Sequence, residues 1–196
     1  MILPIVAYGE VVLRKKGKEI TKDYPNLEAL IENMYETMYG ALGVGLAAPQ
    51  IGLPIRLFIV DTAPFSEDEA LDPEEQEYLK DFRQTFINPK IIEEEGDEWA
   101  FCEGCLSIPD IREDVFRQPK IKVEFFDESF KKHTKEYHGL AARVIQHEYD
   151  HIEGVLFTDK ISSLKKRLIK GKLSNISKGK IEVDYKMRFP DIKKKR

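Results

Sequence analysis

The strongest constraint on this fold is the segment from His147 to His151, which reads HEYDH and has the form HExxH. If the segment is helical, the side chains of His147 and His151 lie on one face, one turn apart, and can bind one metal ion together. Glu148 leaves the helix beside that pair and can reach a water on the metal without being a ligand. The pattern alone does not distinguish a metal site from a helix that is rich in His, Glu and Asp by chance, so the decision depends on the rest of the chain.

The hydrophobic pattern around this segment predicts an α+β fold. After Gly139 the apolar period becomes helical and continues to Gly154, so the HExxH helix is expected to be central and largely enclosed. Mostly antiparallel sheets are predicted to pack around it, followed by a C-terminal basic helix and strand. Further helices are predicted over residues 26–39, with Asn26 as N-cap, and over 162–173. Strands are predicted at residues 55–61, 86–87, 90–94, 121–126, 132–138 and 181–187.

Length and composition predict a single domain over residues 1–196, because the chain is long enough, and with 42% hydrophobic residues apolar enough, to form a real core. Residues 62–85 are acidic, and Asp72 followed by Pro73 has the form of a helix start, which predicts a surface insertion carrying a short helix. Residues 160–196 carry fourteen Lys or Arg against three acidic residues and end in a basic run at 193–196. This basic C-terminal region is predicted to be electrostatically distinct.

The sequence predicts a cytoplasmic protein with no membrane association. No apolar run approaches the length that crosses a bilayer, and the first residues lack the basic region and cleavage site of a signal peptide. Cys102 and Cys105 are three residues apart, so a disulfide between them would close a very small loop and add little stability. A reducing compartment fits this cysteine usage better.

A catalytic site of the zinc type needs three protein ligands, so the two histidines leave one to find. Phe157 stands where a metzincin has its third His, and Glu182, the downstream Glu for a thermolysin-like site, lies in a strand-like segment. Cys105 is the better candidate, because thiolates bind borderline divalent metals and Gly104 permits close approach of the backbone. The alternative is a redox CxxC, but no thioredoxin-like βαβ unit surrounds it. Cys102 is then expected to be a small buried residue on a strand.

The glycine-rich turn GVGLAAPQ at residues 43–50 has two possible interpretations. It matches the dinucleotide-binding pattern GxGxxA, which follows a strand and opens a helix. Here a helix is predicted before the turn, and Pro49 interrupts the segment that comes after it. The turn is therefore predicted to bring backbone amides and the Gln50 side chain close to a bound substrate.

Three segments together, GVGLAAPQ (43–50), EGCLS (103–107) and QHEYDH (146–151), closely resemble the signature segments of the peptide deformylases in order and spacing. The resemblance covers residues 1 to about 160. It implies hydrolysis of the N-formyl group from nascent polypeptides that begin with formylmethionine, with release of formate. It also implies one divalent metal ion, Fe2+ in the cell with Zn2+ or Ni2+ accepted, bound by Cys105, His147 and His151.

The resemblance also implies roles for other residues. Glu148 takes a proton from water and delivers one to the leaving amine, while the Gln50 amide and the Leu106 backbone N–H stabilise the oxyanion. An apolar pocket is expected to hold the methionine side chain, and Gly45 is expected to let the substrate backbone approach. The matching pocket positions are Val44, Gly45, Phe101, Leu140 and Val144.

The basic C-terminal region is interpreted as a ribosome contact, because the substrate emerges there and ribosomal RNA is polyanionic. A solvated end without a specific partner is the alternative. Two other functions stay open from the residues alone. One is a metallopeptidase of the HExxH type, and the other is a noncatalytic metal-dependent binding protein.

Overall fold

The chain combines helices with mostly antiparallel strands, and the computed structural model describes residues 1–190. The predicted α+β class is confirmed. The strands are β1 (Ile5–Val6), β2 (Gly45–Ala47), β3 (Leu57–Asp61), β4 (Arg83–Glu95), β5 (Trp99–Cys105), β6 (Ile108–Arg117), β7 (Lys120–Phe126), β8 (Lys132–His138) and β9 (Met187–Arg188). The helices are α1 (Leu27–Gly40), α2 (Pro73–Lys80), α3 (Gly139–Ile152) and α4 (Ser163–Ser177). Over residues 1–190, no helix has the length and apolar character that a bilayer crossing requires.

The main sheet has five strands in the order β2-β3-β4-β7-β8, and each neighbouring pair is antiparallel. Strand β3 explains why both faces of the sheet are covered. Leu57 and Ile59 belong to the core cluster that contains α1, whereas Phe58 and Val60 belong to the cluster that contains α3. All four side chains are fully buried, as the apolar run in the sequence predicts.

Helix α3 carries the HExxH segment through the centre of the fold, and ten of its fourteen residues are buried. Ala142, Ile145 and Ile152 pack against the main sheet, and burying each Ile side chain stabilises the fold by roughly 1.5 to 3 kcal/mol. The hairpin of β5 and β6 covers another side, where Arg143 donates to the Val115 carbonyl oxygen at 3.0 Å. The enclosure predicted for this helix is therefore confirmed, and its buried polar side chains must find partners or a ligand.

The acidic insertion begins α2 as its sequence predicts, because the Asp72 carboxylate accepts from the backbone N–H groups of Glu74 and Glu75 at 3.0 and 2.9 Å. The insertion also reaches the core. Leu79 is fully buried and packs in one cluster with Leu140 of α3. The Glu75 carboxylate accepts from the Leu140 N–H at 3.2 Å, so α2 caps the N-terminal end of the HExxH helix.

Two local predictions need correction. Asn26 is the N-cap residue of α1 as predicted, and its carbonyl accepts from the Leu30 N–H at 2.9 Å, but its backbone is left-handed with φ of 53° and its side chain makes no cap bond. Cys102 is exposed instead of buried. Successive side chains on a strand point to opposite faces, and β5 turns Phe101 and Glu103 inward, so Cys102 points outward opposite Asp114.

The C-terminal part also differs from its prediction. Helix α4 continues to Ser177, and the strand expected over 181–187 is reduced to β9. Strand β9 pairs in parallel with β1 through the registers Ile5 to Met187 and Val6 to Arg188. Residues 182–185 line a cleft instead of extending a sheet. The basic run predicted at 193–196 lies outside the described residues.

Candidate metal centre

Three potential metal ligands converge from two elements of the fold. Cys105 ends β5, and His147 and His151 lie one turn apart on α3. Their ligand atoms lie within 4.8 Å of one another, and Cys105 Sγ is 3.2 Å from His151 Nε2. One thiolate and two imidazoles form a donor set that suits a divalent transition metal. The arrangement brings together the three ligands expected from the sequence.

Glu103 orients the first histidine. The His147 Nδ1–H donates to Glu103 Oε2 at 2.9 Å, which leaves Nε2 of the same ring free to bind a metal. Arg117 holds the carboxylate from another direction, with Nε and Nη2 donating at 2.7 and 2.9 Å. Burial alone would raise the pKa of Glu103, but the hydrogen bonds from Arg117 and His147 outweigh it and lower that pKa. Glu103 is therefore an ionised carboxylate behind the ligand.

Arg143 is a second buried cation at this carboxylate, and sequence reasoning missed it. Its Nη1 lies 3.1 Å from Glu103 Oε1, and its Nη2 donates to the Trp99 carbonyl oxygen at 2.6 Å. The guanidinium also stacks over the Trp99 ring at 4.5 Å from the centroid. Arg143 thus ties α3 to β5 one turn before His147, and it fixes the two elements that supply the ligands.

Glu148 lies beside the ligands with an unpartnered oxygen. Its side chain is buried, and no residue of the described 1–190 range hydrogen-bonds Oε2. Burial raises the pKa of Glu148 to about 7, which suits a group that exchanges protons near neutral pH. A Cβ added at Gly45 would lie 2.5 Å from Glu148 Oε1. Gly45 lines the cleft, and its lack of a side chain makes room for this carboxylate.

Gln50 and Leu106, the expected oxyanion donors, lie next to the thiolate. The Gln50 Oε1 accepts from the Ala47 backbone N–H at 2.8 Å, which fixes the orientation of the side-chain amide. Its Nε2 then faces Cys105 Sγ at 3.5 Å and Ser107 Oγ at 3.4 Å. Leu106 follows Cys105 in the turn between β5 and β6. Both residues therefore line the same cleft.

The cleft above the ligands encloses about 810 Å³. Leu140, an expected pocket residue, is absent from its lining and packs against Leu79 of α2. Two unpredicted walls complete the cleft. Phe65 of the insertion meets Phe101 edge to face with centroids 6.3 Å apart, and residues 182–185 close another side. The expected pocket residues that do line the cleft are Val44, Gly45, Phe101 and Val144.

The family model, the relatives and the solved structures that resemble this chain all point to one family. The family model described as polypeptide deformylase matches residues 2–167. The peptide deformylases of Christiangramia forsetii and Flavobacterium johnsoniae are 70% and 65% identical over 196 residues, and each match covers 100% of both chains. The solved peptide deformylase of Legionella pneumophila is 35% identical with a TM-score of 0.77, covering 92% of this chain and 98% of that one. That of Thermotoga maritima is 39% identical with a TM-score of 0.72, covering 83% and 99%.

Proposed function

This chain belongs to the peptide deformylase family, and we propose that Cys105, His147 and His151 form the metal centre at which it acts. The enzyme is a metallohydrolase that removes the N-formyl group from the N-terminal formylmethionine of newly made polypeptides and releases formate. The observation that carries the residue assignment is the convergence of three ligand atoms within 4.8 Å beside the unpartnered Glu148 Oε2. We take residues 1–196 as one catalytic domain.

The donor set fits a divalent metal, because a thiolate and two neutral imidazoles suit several first-row ions. Fe2+ is the proposed metal in the cell, with Zn2+ and Ni2+ as ions that the same ligands accept. The hydrogen bond from His147 to Glu103 supports the assignment, since histidine ligands typically donate their other ring N–H to a carboxylate. When bound, the ion supplies Lewis acidity, which polarises the formyl group and lowers the pKa of water.

The side chains of this site divide the remaining work. Glu148 accepts the proton of the attacking water at Oε2 and then delivers it to the nitrogen of the leaving amine. The Gln50 Nε2–H and the Leu106 backbone N–H donate to the oxyanion that develops on the formyl oxygen. The methionine side chain lies in the apolar part of the cleft, and Leu140 supports that pocket from behind. The residues proposed to contact the methionine are Val44, Gly45, Phe101 and Val144.

We expect the protein purified without oxygen to contain about one divalent metal ion per chain, because three protein ligands converge. It should release formate and a free amine from a formyl-Met peptide and leave casein intact. Metal analysis paired with formate and amine assays measures both properties on one sample. Cleavage of casein without deformylation would instead support a metallopeptidase. Bound metal with neither activity would support a binding protein.

We propose a cytoplasmic location, because the substrate is the nascent chain. We also propose that the basic C-terminal region contacts the ribosome. Helix α4 packs Ile169 and Ile176 into the core and exposes most of its basic side chains to solvent. Ribosomal RNA is a polyanion, so such a contact should weaken as salt rises. The exposed basic residues of α4 whose side chains make neither an ion pair nor a hydrogen bond within residues 1–190 are Arg167, Lys170 and Lys172, whereas Lys166 donates to the Asp159 carbonyl oxygen.

Changing Arg167, Lys170 and Lys172 together to Glu should reduce co-sedimentation with ribosomes at least tenfold at low salt, because several phosphate contacts are lost. Deformylation of a free peptide should be unchanged, because these side chains lie away from the cleft. A matched control changes three exposed lysines of the hairpin formed by β7 and β8. It replaces Lys120, Lys131 and Lys135 with Glu. Equal co-sedimentation of both triple variants would remove the proposed contact.

A further inference from the structure

The chain beyond residue 167, where the family match ends, reaches the catalytic centre. Strands β1 and β9 pair in parallel and form a two-stranded terminal ribbon. Two backbone hydrogen bonds join the paired segments. The Ile5 N–H donates to the Lys186 carbonyl at 2.9 Å, and the Ala7 N–H donates to the Arg188 carbonyl at 2.8 Å. These bonds hold the backbone next to Tyr185, which lies two residues before β9.

The residues beside the terminal ribbon make two hydrogen bonds to the catalytic turn, defined here as residues 105–107. The Tyr185 hydroxyl donates to the Leu106 carbonyl oxygen at 2.8 Å. The Tyr8 backbone N–H, just after β1, donates to the Ser107 carbonyl oxygen at 2.8 Å. Two successive carbonyls of the turn are therefore held from segments that are distant in sequence. A donor in an oxyanion hole is effective only when its direction is fixed before the reaction begins.

The opposite side of the catalytic turn is packed closely as well. A Cβ added at Gly43 would lie 2.8 Å from Leu106 Cδ1, so the Leu106 side chain rests directly on the glycine-rich turn. Ser107 is fully buried, and its Oγ lies 3.4 Å from Gln50 Nε2. On this side the turn cannot move inward. The Tyr185 hydroxyl adds a hydrogen bond to the Leu106 carbonyl from the cleft, which Tyr185 also lines.

We infer that Tyr185 is a positioning residue for deformylation, because its hydroxyl holds the Leu106 carbonyl and thereby the turn that presents the Leu106 N–H to the oxyanion. The inference rests on the proposed function and adds a residue outside the part of the chain that the family model matches. Tyr185 does not touch the reacting atoms in this role. It acts through the backbone of residues 105–107.

Tyr185→Phe tests this role, because it removes one hydroxyl and retains the ring that lines the cleft. We expect kcat on a formyl-Met peptide to fall about tenfold, since small misplacements of a catalytic group cost up to roughly a hundredfold. KM and metal content should stay at the wild-type values. Tyr24→Phe is the matched control, because Tyr24 is a half-buried tyrosine that packs against the α1 cluster and should leave kcat unchanged.

Amide hydrogen exchange provides a second readout that does not depend on activity. The Leu106 and Ser107 amides should exchange faster in Tyr185→Phe than in wild type, with no change in Tyr24→Phe. The wild-type protein could lack deformylase activity while the Leu106 and Ser107 amides still exchange faster in Tyr185→Phe. That result would refute the proposed function, but it would keep the contact between Tyr185 and the catalytic turn. Unchanged exchange would overturn the positioning role, whatever happens to kcat. A rise in KM at constant kcat would overturn it too, since the hydroxyl would then serve binding.

Discussion

Glu148→Ala should abolish deformylation while the metal stays bound. Positioned acid–base groups contribute roughly 10² to 10⁴ in rate, and Glu148 is the buried carboxylate beside the metal ligands with an oxygen left without a partner in the described chain. None of the three proposed metal ligands is removed, and Glu103 still orients His147. The measurement is formate release from a formyl-Met peptide alongside the metal content of the same sample.

Glu148→Gln separates the proton transfer from the shape of the side chain. The amide nearly matches the carboxylate in size and fits beside Gly45, but it cannot accept the proton of water, so the loss of rate should equal that of Glu148→Ala. Thermal unfolding of Glu148→Ala should occur at or above the wild-type temperature, because it removes a buried oxygen without a partner in the described chain. Retention of more than about a tenth of wild-type kcat in Glu148→Gln would contradict a proton-transfer role.

Cys105→Ala should lose metal and activity together. It removes the only sulfur donor of the proposed set and leaves two imidazoles, one of which lies 3.2 Å from the lost sulfur. Changes to residues that merely orient a ligand already cost roughly 10- to 100-fold in metal affinity, so loss of a ligand itself should cost more. Anaerobic metal analysis after dialysis and the formate assay measure the two losses on one preparation.

Cys102→Ala is the matched control for Cys105→Ala. The same change of residue type is made three positions away on β5, where the thiol is exposed and is not one of the three converging ligands. Metal content and kcat should both stay at wild-type levels. A full complement of metal in Cys105→Ala would refute the assignment of the sulfur ligand, and loss of metal in Cys102→Ala would show that the CxxC pair acts as a unit.

The elements that sequence patterns predicted well are those determined by local periodicity. Helix α3 has a helical apolar stripe and a glycine just after its end. Strand β3 has a continuous apolar run, which is typical of a strand that is covered on both faces. The capping Asp72 of α2 acts within two or three residues of itself. The side chains of the HExxH segment inherit their relation from the helix, so their geometry could be predicted without any knowledge of the rest of the fold.

The features that sequence patterns missed depend on partners far along the chain. Strand β6 contains Pro109 and several charges, which obscure the alternation that buries Ile111, Val115 and Arg117. Arg143 on a helix is ordinarily exposed, and its burial requires Glu103 and Trp99 from another strand. The roles of these residues follow from tertiary contacts that no local pattern encodes.

The cleft walls show the same limitation. Leu140 lies on the helical stripe that leads to His147, and its position outside the cleft follows from Leu79 of the insertion. Tyr185 lies in a segment whose alternation suggested a strand, whereas only the parallel pairing of β9 with β1 places it over the catalytic turn. Both placements require knowing which distant segment packs where, and composition alone carries no such information.

The terminal ribbon has a consequence for the order in which the protein is made. Translation produces β1 before every proposed metal ligand and β9 after all of them, so the ribbon joins segments that are far apart in residues 1–190. Contacts of such large sequence separation form slowly, because a long loop must close before they can form. A growing or refolding chain should therefore acquire its metal first and its full turnover rate later, when Tyr185 reaches Leu106.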